Sequence, residues 1–518
     1  MSSVLDEVLE GFELSPQIVF VMAGSKSAAV LGLDIGTSGV RAALFAENGS
    51  EIEGASVRLA RTGSPLEELA VTDAAASLEL VTSAIDLLLE KTARYANQIE
   101  FISVSCFWHS LVGVDSEQRA TTPVLTWADS RSTSAAAELR RRFKESSIHS
   151  RTGCRFHPSY WPAKLLWLRN AEPKVFAATR RWLSFGEFLI ITLFGETEAS
   201  VSMASGTGLF NQHTCDWDAE FLEVLELDRA CLPEIAGAHR TLQMLTPEFA
   251  TRWPQLSEAR PFPAIGDGAA NAIGSGCVGS DKISLMVGTS GAMRVFYQGL
   301  PPTTLPPELW CYRADQNRVV LGGALSDGGN LYGWLRESLL PGYDSEAIEL
   351  ALSEVEPDSH GLTVLPFWAG ERSPGWSLYA RGSLHGLNSR TQPIEILRAA
   401  IEAVAYRFAL ISQALDALAP GAAIIASGTA LLASPVWTQM ISDVLGRPLT
   451  LTESRETSTL GAALLALEAA GKIQTIETTR SYDGRTFEPD MSRHARYQEG
   501  IERQQRTYER LVGSETYS

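Results

Sequence analysis

Leu31–Phe45, LGLDIGTSGVRAALF, and Ile283–Tyr297, ISLMVGTSGAMRVFY, are two copies of one hairpin, one in each half of the chain. With the two Gly-Thr-Ser-Gly turns superimposed, the flanks of both copies read as apolar strands. A strand–turn–strand with free backbone N–H groups and small hydroxyls is a seat for phosphate oxygens. Two such turns predict two related domains gripping one polyphosphate from opposite sides. The copies differ where chemistry needs them to: Asp34 stands two residues before the first glycine, and Met286 takes that place in the second copy. One arm can bear a metal and the other cannot.

The chain has 518 residues, too many for a single core, so two large domains are expected. With 45% hydrophobic and 20% charged residues its composition is that of a globular protein. A net charge of −18 argues against nucleic acid or an anionic membrane as the main partner. No apolar run approaches the roughly 20 residues that span a bilayer. The N-terminus is acidic where a secretory signal would be basic, so a cytoplasmic protein is expected. Six scattered cysteines without a C-x-x-C pair read as free thiols in a reducing compartment.

Strand and helix patterns alternate in both halves, the signature of an α/β protein with helices packed on mixed sheets. After the first hairpin come a helix over Ala74–Tyr95, a strand over Ile99–Cys106 and a helix over Ser134–Phe143. Residues 151–262, rich in Trp, Pro and His, read as a cap. Residues 393–418 read as a long helix with apolar residues at 397, 401, 404, 408, 411, 415 and 418, stopped by Pro420. Ser434 is placed as an N-cap with Pro435 at the first helical position. A small-residue helix over Thr459–Ala470 precedes a polar tail. The expected division is an extension at 1–27, domains at 28–278 and 279–475, and a tail at 476–518.

Asp34, at a strand end beside a turn of N–H groups, would repel phosphate unless a divalent cation lay between them. Mg²⁺ takes one or two carboxylates together with phosphate oxygens. Gly36 lets the backbone approach, and Thr37 and Ser38 add hydroxyls; Gly288, Thr289 and Ser290 do the same in the second copy. Asp267, in GDGAANAIGSG, is the candidate general base for a hydroxyl that attacks phosphorus, and its small neighbours leave space for a substrate. Read alone, it is better taken as an N-cap of the helix that follows; its position just ahead of the second phosphate turn favours catalysis. Trp108, His109, Trp127, Asp129 and Arg131 are candidates for holding a polyol, with Arg131 available to a carboxylate. Each of these alone also fits an ordinary structural hydrogen bond. Trp161, Trp167 and Trp182 read as core. Gly428, in ASGTALLAS, sits at a strand-to-loop junction where a flat base could lie on bare backbone.

Taken in order, these segments resemble the FGGY family of carbohydrate kinases over residues 29–470. GLDIGTSGVRAALF is similar to the family's first phosphate hairpin, GDGAANAIGSG to the segment with its catalytic aspartate, and VGTSGA to its second phosphate turn. GSLHGLNSRTQPIEILRAAIE, residues 382–402, fits its C-terminal signature; AKLLWLRN fits the N-terminal one, except that Trp161 replaces a smaller residue. The resemblance implies two ribonuclease-H-like domains of the actin-like superfamily flanking a nucleotide and sugar cleft. It implies ATP as co-substrate, Mg²⁺ at Asp34, Asp267 as catalytic base, and ATP or phosphate contacts from Gly36, Thr37, Ser38, Arg41, Gly288, Thr289, Ser290, Gly428 and Thr429. Sugar contacts fall to Trp108, His109, Asp129, Arg131 and Asp267.

The phrases HSLVGVD, TWADSRS, RTGCRFHPSY, SMASGTGLFN and LPFWAGERSPGW lean toward gluconokinases, and so toward phosphorylation of D-gluconate at O6. A ketopentose or polyol kinase, or an ATP-binding regulatory protein without turnover, are the alternatives. Two departures stand out. Thr429 replaces a glycine of the adenosine loop, where positive φ would strain it. Tyr160–Trp161–Pro162 gives the sugar pocket a bulkier wall. The partners expected are ATP and a small sugar or sugar acid, with a homodimer left open.

Overall fold

The structure is a computed structural model that describes residues 28–61, 70–95, 97–237, 240–452, 457–478 and 484–513. The expected extension at 1–27 lies outside the described residues. Each of the two quoted stretches is a hairpin at the centre of its own sheet. In the first, β1 (Ala28–Gly36) and β2 (Gly39–Ala46) pair antiparallel, Asp34 opposite Arg41 and Gly36 opposite Gly39. β3 (Glu51–Ala60) extends β2. On the other side β4 (Phe101–Cys106) runs parallel to β1, and β5 (Arg260–Pro261) and β6 (Ile265–Gly266) run parallel to β4. In the second, β7 (Gly279–Val287) pairs antiparallel with β8 (Gly291–Gln298). Next to β8 lie β10 (Arg318–Leu325) and then β9 (Trp310–Arg313). Parallel to β7 runs β11 (Ala423–Ser427), followed by β12 (Leu449–Thr452) and β13 (Gly484–Phe487). Both sheets thus repeat one unit: a hairpin with an antiparallel neighbour on one side and a parallel neighbour on the other.

Six helices position the site: α1 (Ala74–Lys91), α2 (Asp267–Gly274), α3 (Gly329–Leu339), α4 (Pro393–Asp416), α5 (Thr457–Ala469) and α6 (Met491–Leu511). α4 buries Leu397, Ile401, Val404, Phe408, Ile411 and Leu415, the period-3.6 stripe seen in the sequence. Residues 145–262 form the cap, helices and short ladders around a core that includes Trp161, Trp182 and Trp217 and is shared with Leu111, Leu125 and Leu139. Ser434 caps the helix Pro435–Leu445 by accepting from the Trp437 N–H. All six cysteines are free, four of them buried. No helix among the described residues is long and apolar enough to cross a membrane.

Two segments differ from the sequence reading. α5 follows the second half in sequence but packs on β1 and β4 of the first sheet and across α2. Its small residues explain this. A Cβ on Gly461 would lie 1.8 Å from the Ala270 carbonyl oxygen, and one on Gly274 would lie 1.7 Å from that of Thr457. The two helices touch backbone to backbone. The supposed tail also has structure: β13 completes the second sheet and α6 buries Tyr497, Ile501 and Gln504. Its apolar positions are too few to announce a core face in sequence.

A single methyl at the crossing tests this packing. Gly461→Ala should lower unfolding free energy by about 1–3 kcal/mol or more, because the obstacle is backbone that cannot rotate aside. A denaturant titration that shows no change in midpoint would contradict the crossing.

Candidate active site

Asp34 and Asp267 share one end of the first sheet. Asp34 is in register with Ser105 of β4, and Gly266, the residue before Asp267, is in register with Cys106 of the same strand. The two acids therefore flank β4, about two strand spacings or ~10 Å apart along the sheet. Burial pushes the Asp267 carboxyl up to about 6, with the Asp34 carboxylate adding to the rise and Arg294 opposing it. Burial also raises Asp34, against the pull of Arg41 and Ser105. Arg41 donates to Asp34 Oδ2 at 3.0 Å and Ser105 Oγ to Oδ1 at 2.8 Å.

Asp267 is the first helical residue of α2 rather than its cap; Gly266 holds the cap position without a side-chain bond. The Gly268 N–H donates to Asp267 Oδ1 at 2.8 Å and fixes the carboxylate. The small residues around it do not leave room for substrate. Gly206, Gly266 and Gly268 are filled by the Trp108 indole; a Cβ on Gly266 would meet Trp108 Cε2 at 1.9 Å. Trp108 Nε1 donates to the Ser202 carbonyl at 2.9 Å, which locks the ring as a wall.

Asp267 opens on a cavity with a largely aromatic wall that includes Trp108, Trp127, Tyr160, Tyr312 and Trp376. Trp310 and Tyr312 stack at 4.3 Å, and the Tyr160 and Tyr312 hydroxyls lie 2.6 Å apart. His109 also lines it, held in a left-handed backbone (φ 68°) that aims its ring inward. Burial pushes the imidazole down to about 3, so it is neutral. Nδ1 lies 2.6 Å from the Gly206 carbonyl, which fixes the proton there and leaves Nε2 as an acceptor. Lys164 reinforces this wall by donating to the His109 and Ser159 carbonyls, each at 2.7 Å.

Asp129 and Arg131 do not join them. Arg131 closes back on Asp129 through its backbone N–H, Nε and Nη2, the last at 2.8 Å, and its guanidinium lies 4.6 Å from the Trp167 ring. Two residues apart on a turn, acid and base satisfy each other, and neither lines the cavity. The arginines that do line it are Arg372 and Arg294, which sequence reasoning passed over. Arg372 is buried, donates Nη2 to the Leu325 carbonyl at 2.8 Å and lies 4.4 Å from the Trp127 ring; its Nε has no partner. Its only signal in the sequence was its place in LPFWAGERSPGW. Arg294 donates to the Gly268 carbonyl at 2.7 Å. Of the bulky acceptor segment only Tyr160 faces the cavity. Trp161 turns into the cap, where Nε1 donates to the Ser110 carbonyl at 2.7 Å.

The second turn borders the same cavity through Met286, Ser290 and Gly291. Its carbonyls are taken by the start of α3: the Gly329 N–H donates to Gly288 at 2.8 Å and the Asn330 N–H to Thr289 at 3.1 Å. Just before α3, burial pushes the Asp327 carboxyl up to about 7, a third residue the sequence reading missed. The Ala369 N–H and Asn330 Nδ2 donate to it. Gly428 adjoins this turn with φ 107°, and a Cβ there would lie 2.3 Å from the Val287 carbonyl oxygen. Thr429 is the exposed first residue of the helix Thr429–Ala433, so the strain expected of it falls on Gly428 instead. Thr37 and Ser38 form the two-residue turn of the first hairpin, Ser38 exposed and Gly36 and Thr37 partly so.

Comparison with known proteins agrees with this architecture. The N-terminal domain of the FGGY family of carbohydrate kinases matches residues 29–274 and the C-terminal domain residues 285–470. The chain is 30% identical over 474 residues to a gluconokinase of Bacillus subtilis (strain 168), covering 88% of this chain and 91% of the relative. It is 27% identical over 492 residues to a xylulose kinase of Escherichia coli (strain K12), covering 93% and 99%. A gluconate kinase structure from Lactobacillus acidophilus superposes with a TM-score of 0.83 at 28% identity, covering 94% of this chain and 99% of that one. With two matching domains, a repeated hairpin unit and an acid-bearing cleft, the chain belongs to the FGGY family of carbohydrate kinases.

Proposed function

We propose that this carbohydrate kinase transfers the γ-phosphoryl group of ATP to a sugar acid in the cytoplasm, D-gluconate giving 6-phospho-D-gluconate. The observation that carries the reading is Arg372, a buried guanidinium with a free Nε in the aromatic cavity beside Asp267. A neutral sugar gives such a charge nothing to neutralise, whereas a carboxylate gives it a charge-assisted hydrogen bond. The similarity to gluconokinases points the same way.

The substrate's terminal hydroxyl meets Asp267, whose carboxylate takes the proton as the oxygen bonds to the γ-phosphorus and the bond to the ADP oxygen breaks. His109 Nε2 accepts a substrate hydroxyl, and the aromatic rings cover the C–H faces. The turns at Gly36–Ser38 and Gly288–Ser290 grip the phosphates, and Gly428 with Thr429 lies under the adenosine. Both Asp34 oxygens already accept one hydrogen bond each, and Arg41 sits beside them, so Asp34 suits a cation held through water rather than directly. Mg²⁺ there would neutralise charge on the β- and γ-phosphates. Asp34 would accept from the waters on that cation, and Arg41, which only donates, keeps the Asp34 carboxylate in place.

Three measurements bear on this. Asp267→Asn should lower kcat by about 10²–10⁴ while nucleotide affinity is kept; near-normal turnover would remove the base. Because the base works only when ionised, log kcat/KM should fall with unit slope as pH drops through about 6 and level off above it. A profile flat down to pH 4.5 would contradict the assignment. Arg372→Leu should lower kcat/KM for D-gluconate about 10- to 100-fold, the worth of one hydrogen bond to a charge, and change that for D-xylulose or glycerol far less. Equal losses on all three, in a coupled ADP assay, would favour a neutral sugar.

A further inference from the structure

Arg294 leaves β8 of the second half and ends on the first turn of α2, the helix that carries Asp267. Its Nη1 donates to the Gly268 carbonyl at 2.7 Å. A Cβ on Gly268 would lie 3.0 Å from that nitrogen and 2.5 Å from Trp108 Cζ3, so guanidinium and indole press on the same bare backbone. The stem is held as closely. Arg294 is in register with Gly322 of β10, and a Cβ there would lie 2.8 Å from the Cα and the Cβ of the arginine. Glycines 268 and 322 thus confine both ends of one side chain.

Among the described residues Arg294 forms no ion pair, and its Nε has no hydrogen-bond partner, although the residue is 3% exposed. A guanidinium stays charged when buried, and burying it unpaired is costly. The group that gains is the Asp267 carboxylate. Of the charges acting on it, Arg294 does most to favour its ionised form, while Asp34 of β1 disfavours it. Arg372 lines the same cavity and also feels the Asp267 charge. Burial pushes the Cys106 thiol of β4 well up and the His109 imidazole down to about 3, so neither carries charge. We infer that Arg294 is the positioning residue of the catalytic base: it holds the first turn of α2 by the Gly268 carbonyl and keeps the adjoining Asp267 carboxylate charged. This rests on the reading of Asp267 as the base. Gly268 gives its N–H to Asp267 Oδ1 and its carbonyl to Arg294, so one residue carries the placement of the guanidinium to the carboxylate. The base of one half is thereby set by a cation of the other.

The test is the pH dependence of kcat/KM for D-gluconate in the full-length enzyme. Taking an opposite charge away from a carboxyl raises it by about 1–3 pH units, so the base is protonated over more of the acid range. In Arg294→Met the acid limb should therefore move up from about 6 by one pH unit or more. The deficit of this variant should be at least about threefold larger at pH 6.5 than at pH 8.5. Arg294→Lys, which keeps the charge, should leave the limb within about half a pH unit of the wild type. Arg294→Gln keeps a donor for Gly268 and loses the charge; it should show the same displacement as the methionine variant and decides the matter where that one does not fold. A limb that stays near 6 in the uncharged variants, with an equal loss at every pH, would leave Arg294 a packing role and overturn the inference. A loss seen only as a raised KM for D-gluconate would overturn it in favour of direct contact with the acceptor. Asp267→Asn separates the two claims: its limb should vanish, and a limb that survives there would overturn the base itself rather than its positioning.

Discussion

Two carboxylates buried at one end of a single sheet set the terms for the rest of the molecule. Like charges so placed in a poorly solvated pocket cannot both stay ionised without help. The chain answers with separate partners: Arg41 and Ser105 hold Asp34, while Arg294 and two backbone N–H groups, those of Gly268 and Trp108, serve Asp267. The outcome is an asymmetry. Asp34, the more deeply buried acid at 5% exposure, is anchored by two side-chain hydrogen bonds, and the partly exposed Asp267 is left with a proton affinity near 6, close to the range in which a base is effective.

That arrangement depends on helices that come unusually near one another. α2 carries Asp267 on its first turn and is pressed by α5 at Gly274 and Gly461, where only hydrogen fits between the backbones. α5 in turn reaches the second half through Glu468 and Arg318. Asp267, carried by the first half, therefore stands on a helix that α5 links to the second half.

The hairpins were legible in the sequence because a Gly-Thr-Ser-Gly turn between apolar strands is a purely local signal, and the regular stripe of α4 was equally local. Side-chain partnerships were not. Asp129 and Arg131 looked like sugar ligands because their types were right, yet their spacing lets one neutralise the other. The small residues around Asp267 read as space for a substrate, but at Gly266 and Gly268 that space is filled by Trp108, which is far off in sequence. Arg372 reaches the cavity only because β10 offers it the Leu325 carbonyl and Trp127 a ring face, and both are distant along the chain. The α6 helix was hidden by its polarity: of the four residues in its buried stripe, Tyr497, Gly500, Ile501 and Gln504, only Tyr497 and Ile501 are large and apolar.

α6 has a temporal side as well. Tyr508 donates to Glu371 at 2.7 Å, Arg407 pairs with the same carboxylate, and His157 of the cap bonds to the Glu371 carbonyl. Arg372 is the next residue. The loop that aims this guanidinium is thus fastened by a helix that the ribosome makes after everything else in the site. During synthesis the Glu371 carboxylate therefore gains its Tyr508 partner only after both sheets and the cap have been made.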